Sequence, residues 1–174
     1  MSAIGVEVVN LTTLAIDPKA VTTLVVDVLA GEGVADGELG VRFVGARRMR
    51  ALNRDFLGHD EVTDVLAFPL EDAGVPGVAT AGDAGEAGRN AVGAGDGSSP
   101  AVPRLLGDVV VCPRRAAAQA RAAGTPLPFE IAMLLVHGTL HVVGYDHELD
   151  AGEMALRQAR YLDDSSWEHL VGKH

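Results

Sequence analysis

The chain has 174 residues, of which 48% are hydrophobic and 22% are charged. This length fits one domain, because such a chain buries roughly 70% of its unfolded surface in one core, and the composition argues against a disordered, collagen-like or coiled-coil protein. The formal net charge of −10 disfavours a uniformly basic nucleic-acid binder but leaves room for a local basic patch.

Cysteine content and hydropathy bear on the compartment. A single cysteine forms no internal disulfide, so we expect a reducing compartment, the cytoplasm. The first residues contain neither a basic segment nor a long apolar run, and no later stretch reaches the roughly 18 apolar residues of a spanning helix. We therefore expect neither secretion nor membrane insertion.

Strand and helix patterns alternate as far as residue 69. Asp17 followed by Pro18 suits the cap and first turn of a helix, and Met49, Leu52 and Phe56 recur at helical spacing. The patterns predict a strand at 6–11, a helix from 18 to about 31, a break at 37–40, a strand at 41–44, a helix at 46–57 and a strand at 62–69.

Residues 72–103 consist mainly of Gly, Ala, Ser, Pro and Asp. They hold too few large apolar groups to offset the entropy cost of ordering the segment. We therefore predict a disordered insertion within a single domain that spans residues 1–174, rather than a separate functional module.

Regular patterns resume at residue 105. The segment LLGDVVVC predicts a strand, Pro113 suits a first helical turn, and Gly124 ends that helix. The next helix is apolar on nearly every face, so we expect it at the centre of the domain. The predicted elements are a strand at 105–112, helices at 113–123 and from 125 to about 142, and an amphipathic helix at 150–170.

Three histidines follow one another at the end of the apolar helix, in the segment HGTLHVVGYDH at residues 137–147. His137 and His141 are four residues apart, so a helix places both side chains on one face, at a separation that one metal bridges. Gly144 permits a turn that returns His147 toward the same point. Three histidines with an open coordination position are the arrangement expected of a catalytic zinc.

The spacing H-x-x-x-H-x-x-G-x-x-H also occurs in metzincin peptidases, but their general-base glutamate is replaced here by Gly138. Zinc still acts as a Lewis acid without that glutamate and lowers the pKa of its water to about 7. A mid-helix glycine suits a place where a group approaches the backbone, which favours the metal. The alternative, histidines that only pack in the core, stays open.

The neighbours of the histidines allow two interpretations. Asp146 and Glu148 flank His147 and either orient a ligand ring or are solvated turn carboxylates. Tyr145 either closes the site or packs. Cys112 is interpreted as a small buried apolar residue at a strand end, because no second cysteine supports it as a ligand.

Twelve of the fourteen basic residues are arginines. Arginine binds phosphate through a planar fork, so two clusters predict a phosphate-facing rim around the metal. A coding bias toward arginine, on solvated helix faces, accounts for them equally well. The clusters are Arg42, Arg47, Arg48, Arg50 and Arg54, and then Arg104, Arg114, Arg115 and Arg121.

The chain resembles the YbeY family, bacterial rRNA maturation factors described as metal-dependent single-strand endoribonucleases. The resemblance lies in LNRDFLGHDEVTDVLAFP at 52–69, in LLGDVVVC at 105–112 and in 137–147, which is similar to the family's H-G-x-L-H-x-x-G-Y-D-H. It implies an α+β fold, with a small mixed β-sheet of about four strands packed around a central buried helix and with flanking helices. It also implies one zinc ion per chain, held by His137, His141 and His147.

The same resemblance implies a function. It is that of a zinc-dependent endoribonuclease, specific for single strands, that acts in 3′-end maturation of 16S rRNA and in biogenesis and quality control of the small ribosomal subunit. The implied partners are precursor rRNA and that subunit, without DNA or a membrane, and nothing indicates the oligomeric state. The alternatives are a non-catalytic assembly factor with a structural zinc and, third, a zinc metallopeptidase.

Two positions depart from the family pattern. The family commonly has an arginine, proposed to act on RNA, where the alignment places Leu57, and it usually has proline where Val62 stands. We expect the second change only to loosen a turn. We hypothesise that Arg50 or Arg54 replaces the missing arginine from a neighbouring helical turn. The candidate RNA-binding residues are Arg50, Arg54, Arg114 and Arg115.

Overall fold

The computed structural model describes residues 3–70, 104–145, 152–164 and 166–172. These residues form four strands, five α-helices and a short 3-10 helix. In chain order they are β1 (Ala3–Asn10), α1 (Pro18–Gly31), β2 (Asp36–Phe43), α2 (Ala46–Leu57), β3 (Val65–Pro69), β4 (Leu105–Val111), α3 (Pro113–Ala123), α4 (Leu127–Val142), α5 (Glu153–Asp164) and the 3-10 helix Trp167–His169.

The four strands make one mixed sheet in the order β1-β2-β4-β3. β1 and β4 both pair in parallel with β2, whereas β3 pairs with β4 in the antiparallel sense. α4 packs against β3 and β4 and is surrounded by α1, α3 and α5. Most residues of α4 are buried, as its apolar sequence on all faces requires. The predicted α+β fold, with a mixed sheet around a central buried helix, is confirmed.

Three helices, α1, α2 and α3, have the predicted bounds, and capping groups explain most of their ends. α2 and α3 run over 46–57 and 113–123, and each stops at a glycine in the left-handed conformation, Gly58 and Gly124. α1 begins after Asp17, whose Oδ1 accepts the N–H of Lys19 at 2.8 Å. Local signals therefore located these helix ends correctly.

Three strand predictions were wrong by more than one residue at a boundary, and the first of these strands, β1, begins at Ala3 rather than at 6. The glycines at 37–40 do not break the chain, because β2 runs through them from Asp36. The Asp108 side chain of the adjacent β4 fills the space that a Cβ at Gly40 would need, so this glycine permits close approach rather than a turn. β3 begins at Val65 and not at 62. The Asp64 side chain accepts a hydrogen bond from the N–H of Val65 at 2.8 Å, in the turn that precedes the strand.

The predicted last helix is also wrong in its extent. α5 ends at Asp164, and the chain continues as the separate 3-10 helix. The Trp167 ring packs edge-on against Phe129 of α4, with ring centroids 5.3 Å apart, and Leu170 is almost fully buried. Packing against the start of α4 thus overrides the helical periodicity of the sequence.

The predicted insertion at 72–103 lies outside the described residues. Within the part of the chain that the structure covers, no helix has both the length and the apolar character to cross a bilayer.

Candidate metal centre

Two of the three predicted ligands meet on the last turns of α4. The rings of His137 and His141 are both half-buried, and their centroids lie 4.7 Å apart at an interplanar angle of 76°. The Nε2 atom of His137 lies 3.2 Å from the Nε2 atom of His141. The spacing of four residues therefore brings the two nitrogens together, as the sequence predicted.

The distance between these nitrogens fits a shared metal ion. Zinc binds histidine nitrogens at about 2.0–2.1 Å in a tetrahedral arrangement, so two such ligands lie about 3.3–3.4 Å apart. The observed 3.2 Å agrees with that separation. The third predicted ligand, His147, and its neighbours Asp146 and Glu148 lie outside the described residues. Among the residues that are described, no three His, Cys, Asp or Glu side chains come together as a complete site.

A glutamine on α5 reaches the outer nitrogen of one histidine. The Oε1 atom of Gln158 lies 3.2 Å from Nδ1 of His137, and the glutamine is itself half-buried. The sequence pattern suggested Asp146 or Glu148 for this supporting role, and not Gln158. No local signal identifies it, because Gln158 and His137 belong to different helices.

Gly138 has a different explanation from the one that the sequence suggested. A Cβ at this position would lie 2.6 Å from Cγ1 of Val109 on β4 and 3.2 Å from Cγ2 of Val65 on β3. The glycine therefore lets α4 pack closely on the sheet, and the group that approaches its backbone is a valine. A glutamate at this position, as in metzincins, would point into that packed surface.

Tyr145 follows α4 and is tied to a buried carboxylate. Its hydroxyl donates to Oε2 of Glu32, just beyond α1, at 2.8 Å. Burial, together with the hydrogen bond to Glu32 and the negative charge of that residue, raises the pKa of Tyr145 to about 12. Tyr145 is thus held in place two residues before His147.

The same carboxylate holds α5. Tyr161 donates to Oε1 of Glu32 at 2.6 Å, and Arg157 lies 3.0 Å from its Oε2. The Glu32 side chain is only 3% exposed, and these donors supply the hydrogen bonds that a buried carboxylate requires. We call Glu32, Tyr145, Arg157 and Tyr161 the Glu32 cluster. It joins the ends of α1 and α4 to α5.

Asp64 organises the turn before β3, which packs on the Gly138 face of α4. Its carboxylate accepts hydrogen bonds from Nε2 of Gln119 at 2.7 Å and from the backbone N–H of Val65 at 2.8 Å. Burial acts to raise the pKa of Asp64, but these hydrogen bonds and one from Thr63 outweigh it and leave the pKa below its ordinary value. The residue is therefore ionised at neutral pH and acts through these structural bonds.

The first pair of candidate RNA-binding arginines is engaged with carboxylates. Arg50 forms a fork with Asp60, at 2.9 and 2.7 Å, and this contact raises the pKa of Arg50 and lowers the pKa of Asp60. Arg54 contacts Asp55 at 3.0 Å and Asp60 at 3.9 Å. Leu57, at the family's arginine position, is 56% exposed. The guanidinium groups of Arg50 and Arg54 therefore both have intramolecular partners.

The second pair stands at the start of α3. Arg114 and Arg115 are exposed and form no ion pair with any described residue. Arg114 lines a cavity of about 420 Å³ together with Thr12 and Leu127, the first residue of α4. His137 lies ten residues further along α4, about 15 Å at 1.5 Å per residue. Arg114 therefore lies beside the end of α4 that is opposite the histidines.

Cys112 is fully buried at the end of β4 and contacts an apolar cluster beneath α2 that includes Met49 and Leu66. The interpretation of this cysteine as a small core residue is confirmed.

Comparison with known proteins places these features in a family. The family model described as "Endoribonuclease YbeY" matches residues 9–166. The Endoribonuclease YbeY of Salinispora tropica is 39% identical over 166 residues, which are 94% of this chain and 96% of that protein. The one from Bacillus cytotoxicus is 40% identical over 134 residues, 75% of each chain.

A solved structure shares the fold. A protein of Thermotoga maritima, determined in solution, superposes with a TM-score of 0.56 at 23% identity and covers 91% of this chain and 87% of its own. At that identity the likeness concerns the fold alone.

Proposed function

Because the chain belongs to the YbeY endoribonuclease family, we propose that it cleaves single-stranded RNA with the help of one zinc ion held by His137, His141 and His147. Its substrate is the 3′ end of precursor 16S rRNA, and it acts in the cytoplasm on the small ribosomal subunit. The observation that carries the proposal is the 3.2 Å separation of the His137 and His141 nitrogens on the buried helix α4.

The histidines, the Glu32 cluster and the arginines have separate roles in this proposal. The three histidines would hold the ion, and when bound it would supply Lewis acidity that stabilises the negative charge developing on a phosphodiester. The Glu32 cluster fixes Tyr145, which precedes His147 by two residues. Arginines bind the RNA backbone and position the strand.

The peptidase alternative has no support in the packing of α4. A metzincin-like mechanism needs a general-base carboxylate beside the first histidine. The backbone of Gly138 contacts the valines of the sheet, so that side of the helix leaves no space for one.

The test of this function uses the full chain loaded with zinc. We expect cleavage of a single-stranded fragment of precursor 16S rRNA, much slower cleavage of a duplex of the same sequence, and no cleavage of an unstructured peptide. A chelator should abolish RNA cleavage and zinc should restore it. Bound zinc without RNA cleavage would favour a structural metal in an assembly factor. Zinc-restored peptide cleavage would favour a peptidase. Co-sedimentation with the small ribosomal subunit tests the partner.

The arginines are tested by the salt dependence of RNA binding. Each phosphate contact on a single strand contributes about 0.7 to the slope of log affinity against log salt. We expect the double variant Arg114→Ala/Arg115→Ala to bind more weakly and to lower that slope by about 1.4. Arg50→Ala/Arg54→Ala should have a smaller effect, since both forks already contact carboxylates.

Lys19→Ala, which removes an exposed cation at the start of α1 and lies outside both arginine clusters, is the control. The opposite order, with a large loss for Arg50→Ala/Arg54→Ala and none for Arg114→Ala/Arg115→Ala, would assign the RNA contacts to α2. Unchanged binding in Arg50→Ala/Arg54→Ala would rule out the hypothesis that these residues replace the family arginine at Leu57.

A further inference from the structure

Two described side chains lie beside the ring nitrogens of His137. Its Nε2 faces Nε2 of His141 at 3.2 Å, and its Nδ1 faces Oε1 of Gln158 on α5 at 3.2 Å. The first contact lies within α4. The second comes from another helix and therefore constrains the ring from outside.

The chemistry of an amide oxygen dictates which nitrogen carries the proton. The Oε1 atom of a glutamine accepts hydrogen bonds and donates none, so Nδ1 of His137 must be the N–H group in this contact. A neutral imidazole has only one N–H, which leaves a lone pair on Nε2. That lone pair lies on the side of His141, and a histidine that shares a metal ion with His141 must bind the ion through it.

The position of Gln158 on α5 is itself well determined. Its neighbour Arg157 and, one turn later, Tyr161 both bind the buried carboxylate of Glu32. These bonds set the position of α5 against α1. The Gln158 amide consequently reaches His137 from a helix that is anchored independently of the histidines.

We infer that Gln158 is a positioning residue, which holds His137 in the Nδ1–H form with its Nε2 lone pair directed at the metal site. The inference rests on one part of the proposed function, the metal site, and does not depend on RNA cleavage. It assigns to Gln158 the role that the sequence pattern suggested for Asp146 or Glu148. Outer partners of ligating histidines affect metal affinity by 10- to 100-fold in general.

Three variants of the full chain test this role. Gln158→Leu removes the acceptor, Gln158→Glu keeps an acceptor in the same place, and Ala159→Leu puts a leucine on the exposed face of the same helix as a matched control. We expect zinc affinity, measured by competition with a chromophoric chelator, to fall about 10- to 100-fold in Gln158→Leu. The other two variants should stay close to the wild type.

The wild type alone provides a second measurement, and the spectrum of Gln158→Leu then extends it. Nitrogen-15 NMR of the metal-free wild type should find His137 in the Nδ1–H form, and Gln158→Leu should lose that preference. An Nε2–H form in the wild type, or unchanged zinc affinity in a folded Gln158→Leu, would overturn the inference.

RNA cleavage separates this inference from the proposed function. If the wild type binds zinc but cuts no RNA, and Gln158→Leu has a lower zinc affinity than the wild type, the proposed function is refuted and the inference is supported. RNA cleavage by a Gln158→Leu protein with unchanged zinc affinity would refute only the inference.

Discussion

Replacement of His141 by alanine is expected to remove the bound zinc and to lower RNA cleavage by more than about 100-fold. The loss of an outer partner of a ligand costs 10- to 100-fold in affinity or activity, and the loss of a ligand itself should cost more. His141 supplies one of the two nitrogens that lie 3.2 Å apart on α4. Zinc content by elemental analysis and the initial rate on single-stranded RNA measure the two effects together.

The control is His169→Ala, which removes an exposed histidine from the 3-10 helix and should change neither quantity. Thermal denaturation of both variants establishes that the fold persists. A folded His141→Ala protein that keeps one zinc per chain and cleaves RNA at the wild-type rate would refute the proposed metal centre.

Replacement of Glu32 by glutamine is expected to lower the free energy of unfolding by about 3 kcal/mol. The change leaves the Arg157 guanidinium without its buried carboxylate and gives the hydroxyls of Tyr145 and Tyr161 a weaker acceptor. We place the effect at the low end for a broken buried pair because Arg157 is 37% exposed and also contacts Glu153. Urea denaturation measures the loss.

The matched control is Glu7→Gln. Its carboxylate also pairs with an arginine, Arg42 at 3.9 Å, but its side chain is 73% exposed. Solvent and salt screen such a pair, so we expect a change below about 1 kcal/mol. Equal effects of the two glutamine substitutions would mean that the Glu32 cluster is no more important than a surface ion pair.

Local signals were sufficient for helices α1 to α3 and for one pair of candidate ligands. The contact between His137 and His141 depends only on the helical repeat, so their spacing predicted it correctly. The glycines that end α2 and α3 act within their own turns and could likewise be recognised in the sequence.

Signals that depend on a neighbouring element were misinterpreted. Gly40 suggested a turn, but it serves the approach of Asp108 from the adjacent strand β4. Gly138 suggested that a group at a metal site approaches the backbone, but it serves the approach of Val109. A glycine carries no mark of which group comes close to it, so its role is visible only once the elements are packed.

The sequence by itself determined the central apolar helix, the common face of its two histidines and the family of the chain, because periodicity and motif spacing are local properties. Only the tertiary structure decided which groups support that face. Gln158 reaches His137 across 21 residues, and Tyr145 and Tyr161 reach Glu32 across 113 and 129. Such partners are set by how the helices pack around a shared core, and packing leaves no periodic trace in the order of the residues.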